Sequence, residues 1–303
     1  MNPLVTVNIL SYNRKDELRN TLQKVYEQDY KNIEVIVVDN ASIDGSPEMV
    51  KSEFPDVILI ELDKNIGIAG WNKGFEIAKG EYVLVLDDDS YPQDEAIKEL
   101  LKVIQTEQSI GIVGAKILNT TYNFCETQNY TMNPLSFVGC GALIDKKKLI
   151  EVGYYDQNFF IYLNELELTA RFIDNGFSVV YCGNAVIYHD QSSKSRGDST
   201  NPFSSDYRYK NYFWGMSYFL MTKFPFQNIL IFQTKWLLNR FIIALFHNKL
   251  LLFFKCLLDL IAKMGIIFSK RKILNNSTQK FYRHGNVFAL VDRDYFPNFR
   301  KSI

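Results

Sequence analysis

The amino-acid sequence predicts an α/β fold with a mainly parallel central sheet, followed by a helical C-terminal extension. Short apolar runs alternate with amphipathic helical segments in the first part of the chain, a pattern that builds βαβ units. The charge then changes sign: residues 1–206 carry 18 Lys and Arg against 31 Asp and Glu, whereas residues 207–272 carry 11 against a single acid. We therefore predict an α/β domain over 1–206 and a basic helical region over 207–303.

The elements of the α/β domain follow from apolar periodicity and from turn residues. The loop at 39–46 contains several N-cap residues and precedes a helix. Gly80 is predicted to end the helix 65–79. Glycines at 139 and 141 lie within a strand, where they permit close backbone approach. The predicted strands are 5–10, 33–38, 57–61, 82–86, 110–116, 137–144, 177–181 and 185–189, and the predicted helices are 15–28, 47–53, 65–79 and 94–105.

One strand ends in a cluster of acids. The apolar run from Tyr82 to Leu86 continues directly into Asp87, Asp88 and Asp89. Ligands bind at the carboxyl ends of strands in parallel sheets, and adjacent carboxylates are stabilised by a hard divalent cation. The alternative is a solvated acidic turn.

A second acid favours the cation site over the acidic turn. Asp39 also follows a buried strand, so it is predicted to lie at the same edge of the sheet as the acid cluster.

Composition narrows the class of protein. A hydrophobic content of 47% and an aromatic content of 15% predict a packed core and exclude a disordered chain. Four cysteines without a CxxC pair are typical of free thiols in a reducing compartment, and no secretory signal precedes the first strand. The formal net charge is zero, and we expect no nucleic-acid partner.

Three ordered segments together resemble family 2 glycosyltransferases of the GT-A fold. They are residues 5–14, 37–42 and 86–89, and the resemblance extends over residues 3–215. The segment 65–74, Asn-Ile-Gly-Ile-Ala-Gly-Trp-Asn-Lys-Gly, is similar to the rhamnosyltransferase-like branch, although related enzymes that use other sugars share it.

The resemblance implies a nucleotide-sugar site and a Mg²⁺ or Mn²⁺ cofactor. Tyr12 would pack beside the base and Asp39 would accept a hydrogen bond from it, which selects uracil or thymine because those bases carry an imide N–H. Asp89 would ligate the metal that bridges the diphosphate. The residues implied to contact the donor are Ser11, Tyr12, Asp39, Asn72, Asp87 and Asp88.

The segment 159–171 carries the expected catalytic base. The family pattern is an aromatic pair, then Glu-Asp-x-Asp-Leu, then an Arg; here Asn164 and Glu165 replace the acidic pair and Glu167 replaces the following Asp. By position the base is Glu165, with Glu167 as the alternative, and an exposed acidic helix face as the structural alternative. His189 follows a strand and resembles the family's metal-ligating histidine.

The C-terminal region combines apolar residues with regularly placed Lys and Arg. No uninterrupted apolar run reaches the ~18–20 residues that span a bilayer, and Trp214 and Trp236 suit the headgroup level of an anionic membrane surface. A helical hairpin that covers the α/β domain is the alternative. The loop 190–206 is predicted either to close over the donor, with Lys194 or Arg196 touching its phosphates, or to be an inert linker.

The sequence therefore predicts an inverting, metal-dependent hexosyltransferase of polysaccharide biosynthesis. It would move a sugar, rhamnose from dTDP-rhamnose in the favoured case, to a lipid-linked glycan while bound peripherally at the cytoplasmic face of the cell membrane. A UDP-hexose transferase and an inactive membrane-associated scaffold are the alternatives, and a homodimer is left open. The segment 10–14 lacks the glycine-rich phosphate loop of a nucleotidyltransferase, which argues against that class.

Overall fold

The protein is described here by a computed structural model, which covers residues 2–128, 130–131, 134–191 and 205–284. The chain forms two compact units. The first contains residues 1–160 and 168–192, and the second contains residues 161–167 and 193–303. The predicted helical region lies within the second unit, which also includes the short segment 161–167.

A nine-stranded sheet forms the first unit in the described residues. Its strand order is β3-β2-β1-β4-β8-β6-β9-β5, with β7 paired to β6. β1, β2, β3 and β4 are parallel, as predicted, and β6 and β9 are parallel; the remaining pairs are antiparallel, so the complete sheet is mixed. The strands are β1 Val5–Ser11, β2 Ile33–Asp39, β3 Ile58–Glu61, β4 Tyr82–Asp87, β5 Ser90–Pro92, β6 Ile110–Asn119, β7 Phe124–Cys125, β8 Ala142–Asp145 and β9 Ser178–His189.

Helices pack on this sheet through their apolar faces. α1 and α4 have apolar residues at helical spacing, and their buried side chains join the strand residues in one core. The helices are α1 Lys15–Glu27, α2 Ser46–Glu53, α3 Trp71–Ile77, α4 Ala96–Ile104, α5 Lys146–Val152 and α6 Asn164–Asp174, and a 3₁₀ turn, Gly67–Gly70, precedes α3.

Two glycines are required by close backbone approach. Gly67 has φ +66°, and a Cβ there would lie 2.0 Å from the carbonyl oxygen of Phe160. Gly80 does not stop the preceding helix as predicted, because α3 already ends at Ile77. A Cβ on Gly80 would instead lie 2.5 Å from the backbone nitrogen of Thr6, so the position needs glycine for space.

Two strand predictions need correction. The predicted strand 137–144 is a strand only from Ala142 to Asp145, since the two preceding glycines lie in a turn. The predicted strands 177–181 and 185–189 form one strand, Ser178–His189, whose pairing with β6 is irregular between Ala115 and Lys116. A register shift of this kind, as in a β-bulge, lets both halves of the strand remain paired with β6.

The second unit contains five helices in its described residues. Ser205 caps the first of them by accepting the backbone N–H of Arg208, and Arg271 donates to the carbonyl oxygens of Met221 and Phe224 at its other end. The helices are α7 Asp206–Lys223, α8 Phe226–Phe246, α9 Leu250–Ala262, α10 Met264–Ser269 and α11 Asn276–His284.

The two C-terminal tryptophans are packed within this unit. Trp236 is only 2% exposed, and the guanidinium of Arg240 lies 4.1 Å from its ring centroid. Trp214 is half-buried beneath the ammonium of Lys263. The prediction that Trp236 sits at a headgroup level is therefore wrong for this conformation, because its ring already has a cation–π partner inside the unit.

The described helices include one, α8, that is long and apolar enough to cross a membrane by length and composition alone. It has 21 residues, and 28% of its apolar window is buried within the structure. The sequence prediction counted Lys235 and Arg240 as interruptions, yet two charges do not remove this helix from the spanning range.

Candidate active site

The candidate site lies at the carboxyl ends of three adjacent parallel strands of the first unit. In the sheet register Ser11 is paired with Asp39, and Leu10 is paired with Asp87. Asp39 and the acid cluster therefore share one edge of the sheet, as predicted.

Arg14, which the sequence analysis did not assign, binds two acids of the cluster. Its Nη1 lies 3.0 Å from Oδ1 of Asp88 and 2.6 Å from Oδ2 of Asp89. Asp88 also accepts the backbone N–H of Tyr12 at 3.1 Å. Burial raises the pKa of Asp88 to about 7, and the positive charge of Arg14 opposes that rise. Asp88 thus connects the loop after β1 to the loop after β4, and it is 5% exposed.

His189 lies beside Asp89, as the metal prediction requires. β5 and β9 pair so that Ser90 is opposite His189, and this register brings Nε2 of His189 to 3.3 Å from Oδ1 of Asp89. Nδ1 of His189 lies 2.7 Å from Oε1 of Glu126, a residue that the sequence analysis missed. The polar stretch around Glu126 has no periodicity that would identify it.

Cys140 is a further donor that the sequence analysis treated only as a free thiol. One ligand atom each of Asp87, Cys140 and His189 lie within 4.8 Å of one another. Burial raises the pKa of Cys140 to about 12, so the thiol keeps its proton until a cation displaces it. Burial alone lowers the pKa of His189, but the thiol and the two carboxylates around the ring raise it well above its ordinary value.

The donor set fits a divalent cation. The described residues supply carboxylate oxygens from Asp87 and Asp89, one imidazole and one thiol. Nε2 of His189 is buried and forms no hydrogen bond within the described part of the chain. A buried imidazole nitrogen beside carboxylates is a suitable ligand for Mn²⁺ or Mg²⁺ with substrate phosphates completing the shell, and the thiol adds affinity for softer cations.

The other end of the edge carries buried polar atoms from the ends of β1 and β2. Asp39 is 2% exposed; its Oδ2 accepts the backbone N–H of Ser42 at 2.8 Å, while its Oδ1 is buried with no hydrogen-bond partner among the described residues. The hydroxyl of Ser11, its partner in the register, is likewise buried and unpartnered in that part of the chain. Tyr12 is 45% exposed. Orphaned buried acceptors are costly, so this site is suited to a ligand that donates.

Asn72 has a different environment from the one predicted. Its Nδ2 donates to the carbonyl oxygen of Tyr155 at 2.9 Å, and its Oδ1 accepts the backbone N–H of Tyr155 at 3.1 Å. Both halves of the amide therefore hold the loop before α6, and a donor contact by Asn72 stays a prediction. Trp71 packs against the ring of the same tyrosine, with centroids 5.8 Å apart.

The predicted base belongs to the second unit. Glu165 is half-buried in the first turn of α6. Glu167 is 1% exposed and pairs with Lys223, whose Nζ lies 2.7 Å from Oε1. Asn164 is also buried, and neither polar atom of its side chain has a hydrogen-bond partner within the described residues.

Two groups of basic residues near the predicted site differ in what the structure shows of them. Lys146 and Lys148 donate to the carbonyl oxygens of Ala78 and Ile110. Lys194 and Arg196, considered as phosphate ligands on a closing loop, lie outside the described residues.

Comparison with known proteins identifies the family. Residues 6–166 match Glycosyl transferase family 2, so the chain belongs to this family. It is 34% identical over 127 residues to the glycosyltransferase GlyA of Streptococcus pneumoniae, covering 41% of this chain and 18% of that protein. It is 35% identical over 107 residues to the Escherichia coli UDP-Glc:alpha-D-GlcNAc-diphosphoundecaprenol beta-1,3-glucosyltransferase WfaP, covering 35% of this chain and 43% of that protein. The chain spans less than half the length of these relatives.

A solved structure supports the fold class. The mannosyltransferase PcManGT from Pyrobaculum calidifontis, in complex with GDP-Man and Mn²⁺, superposes with a TM-score of 0.61 at 19% identity, covering 96% of this chain and 81% of that one. The predicted GT-A fold is therefore confirmed.

Proposed function

We propose that this protein is a metal-dependent, inverting glycosyltransferase that takes its sugar from a nucleoside diphosphate. The observation that carries the proposal is the shared strand edge. Asp39 has a buried carboxylate oxygen without a partner among the described residues, and it lies at the same edge of the sheet as the donor cluster around Asp89 and His189, at the ends of β2, β4 and β9. A nucleoside diphosphate satisfies both, because its base donates to one and its phosphates are held through a cation at the other.

Each residue of the edge has a role in donor binding. Asp39 accepts the imide N–H of the base, Tyr12 offers its exposed ring to the base, and Asp88 holds Tyr12 in place through its backbone N–H. Asp89 and His189 are the residues that would hold the cation, with Asp87 and Cys140 next to them. The bound cation supplies Lewis-acid stabilisation of the diphosphate leaving group.

Glu165 is the residue that we assign as general base. It would remove the proton of the acceptor hydroxyl as that oxygen bonds to the anomeric carbon, while the bond to the diphosphate oxygen breaks and its electron pair leaves with the phosphate. Glu167, the alternative, is buried in an ion pair with Lys223 and is therefore less available for proton transfer.

The donor is assigned by the base. A carboxylate at Asp39 favours UDP- or dTDP-sugars. The segment 65–74 supports dTDP-rhamnose, whereas the name of the relative WfaP, which states UDP-Glc, supports a UDP-hexose. We therefore propose a UDP-hexose or dTDP-rhamnose as the donor, and the name of WfaP favours the UDP-hexose.

The acceptor is assigned as a lipid-linked glycan at the cytoplasmic face of the cell membrane. WfaP is named for a diphosphoundecaprenol-linked acceptor. In the second unit α9 exposes Leu251 and Leu258 by 71% and 66%, and basic residues flank the helix. An apolar face bordered by Lys suits peripheral binding to anionic lipid, and a homodimer would cover the same face.

Vesicle sedimentation tests this surface. We expect Leu251→Glu combined with Leu258→Glu to abolish sedimentation with anionic phosphatidylglycerol vesicles, because it places two carboxylates in the apolar face. Ile43→Glu, a change at a residue that is 93% exposed in the first unit, serves as the matched control and should leave binding unchanged. Absence of sedimentation by the wild type would remove the membrane assignment, and equal sedimentation of all three proteins would exclude this face as the binding surface. A change in oligomeric state instead would favour the homodimer.

Nucleotide-dependent thermal stabilisation tests the donor site. Ligands that bind only the native state raise its melting temperature by mass action. With Mn²⁺ present, UDP or dTDP should stabilise the protein more than GDP or CDP, and Asp89→Ala should lose the effect. Asp39→Asn should lose the preference for UDP and dTDP while it retains the metal dependence. Absence of stabilisation by any nucleotide would refute the proposal and favour the inactive scaffold.

A further inference from the structure

We propose that Glu126 is a positioning residue for the cation site, acting through its hydrogen bond to His189. By accepting the Nδ1 proton of His189, Glu126 would hold the imidazole in the tautomer whose Nε2 lone pair points toward Asp89. This inference rests on the proposed function, because it concerns the cation that the donor site would use.

The hydrogen bond determines the tautomer. Nδ1 of His189 lies 2.7 Å from Oε1 of Glu126, and the two side chains are 4% and 19% exposed. An ionised carboxylate can only accept, so Nδ1 keeps its hydrogen and Nε2 is the nitrogen that gives up its proton when the ring becomes neutral, as it must to bind a cation. That second nitrogen is the one beside Asp89, at 3.3 Å from Oδ1. Metal-binding histidines are commonly oriented by a carboxylate in this way.

The fold holds Glu126 firmly at this position. The β6–β7 hairpin places it there, and its backbone N–H donates to the carbonyl oxygen of Ile117 at 3.0 Å. Asn119 Nδ2 donates to the same Oε1 that receives the histidine proton, at 2.9 Å. Asn119 is also paired with His189 in the parallel register of β6 and β9. One strand therefore sets the positions of both the carboxylate and the imidazole.

A purely structural role predicts different behaviour. If Glu126 only joined the hairpin to β9, its loss would lower stability but would change neither the tautomer of His189 nor the affinity for a cation. Both quantities can be measured without enzymatic activity.

The tautomer can be read directly by long-range ¹H–¹⁵N NMR. The chain has only three histidines, so His189 can be assigned by its loss in His189→Ala. In spectra recorded without metal at a pH high enough for the ring to be neutral, we expect wild-type His189 to be the Nδ1–H form and Glu126→Ala to populate the Nε2–H form. An Nε2–H ring in the wild-type protein would overturn the inference.

Mn²⁺ affinity provides the second readout. Free Mn²⁺ measured by electron paramagnetic resonance should show an increase of Kd of about 10–100-fold for Glu126→Ala, the usual effect of losing a carboxylate behind a ligand histidine. Glu126→Gln retains an acceptor oxygen and should keep most of the affinity, and it keeps the test valid where the alanine variant does not fold. Glu151→Ala, an exposed acid on α5, is the control and should match the wild type.

The outcomes separate the inference from the proposed function. If His189→Ala loses Mn²⁺ and Glu126→Ala binds it as the wild type does, the inference fails and the metal site stands. If His189→Ala itself binds Mn²⁺ like the wild type, the proposed metal site fails.

Discussion

The buried ion pair between Glu167 and Lys223 gives a prediction whose magnitude follows from the structure. Nζ of Lys223 lies 2.7 Å from Oε1 of Glu167, and the side chains are 6% and 1% exposed. Lys223→Met removes the ammonium and leaves the carboxylate in a site shielded from water. Breaking a buried pair on one side costs about 3–5 kcal/mol, so we expect the free energy of unfolding to fall by that amount.

Urea unfolding followed by tryptophan fluorescence measures this change, because two of the three tryptophans lie in the second unit. With a slope of roughly 2 kcal/mol per M urea, the loss corresponds to a midpoint that is about 1.5–2.5 M lower. The double variant Glu167→Gln with Lys223→Met should recover most of the stability, since removing both charges leaves no buried ion.

Activity should respond as well, because Glu165 lies in the same helical turn as Glu167. A displacement of about 1 Å at the base costs on the order of 10²-fold in kcat. Lys223→Arg keeps the charge and serves as the conservative control. Substitutions at exposed positions usually change the free energy of unfolding by no more than about 0.5 kcal/mol. A change that small for Lys223→Met would refute the reasoning.

Three further predictions concern the first unit. Arg14→Gln should destabilise the metal-free protein by about 3–5 kcal/mol, because it removes the guanidinium beside two buried acids. Mn²⁺ should restore most of the lost stability in a thermal-shift assay, and an equal loss with and without Mn²⁺ would contradict this. Cys140→Ser should leave the affinity for Mn²⁺ within about threefold of the wild type, but it should lower the affinity for Cd²⁺ because the thiol is the soft donor. The thiolate–Cd²⁺ absorbance should disappear, and a retained absorbance would exclude Cys140 as a ligand. Gly80→Ala should cost about 1–3 kcal/mol because the added Cβ meets the backbone of β1, whereas Gly265→Ala, with open space around it, should be neutral or stabilising in the same urea titration.

The parallel half of the fold was predictable because its signals are local. β1, β2 and β4 are short, mainly apolar segments, and each ends in a polar residue that marks the sheet edge. Asp39 and Asp87 lie at one edge of the sheet because each follows a strand that runs parallel to β1.

The surroundings of the acids were not predictable, because they depend on long-range register. Glu126 meets His189 only because a two-residue strand turns the chain back along β6, and Cys140 approaches the same ring from a turn that was predicted as strand. The roles of Arg14 and Lys223 likewise depend on side chains that contact acids far away in sequence. No periodicity in the chain encodes such contacts.

The proposed transferase activity is tested most directly by the release of nucleoside diphosphate. The comparison is between the wild type and Glu165→Gln, each saturated with Mn²⁺, with a UDP- or dTDP-sugar and with a lipid-linked glycan acceptor. General-base catalysis contributes typically 10²–10⁴-fold, so the glutamine variant should release UDP or dTDP at least about 10²-fold more slowly while it binds the nucleotide as tightly as the wild type. Equal release by both proteins would contradict the assignment of Glu165, and no release by the wild type would contradict the transferase itself.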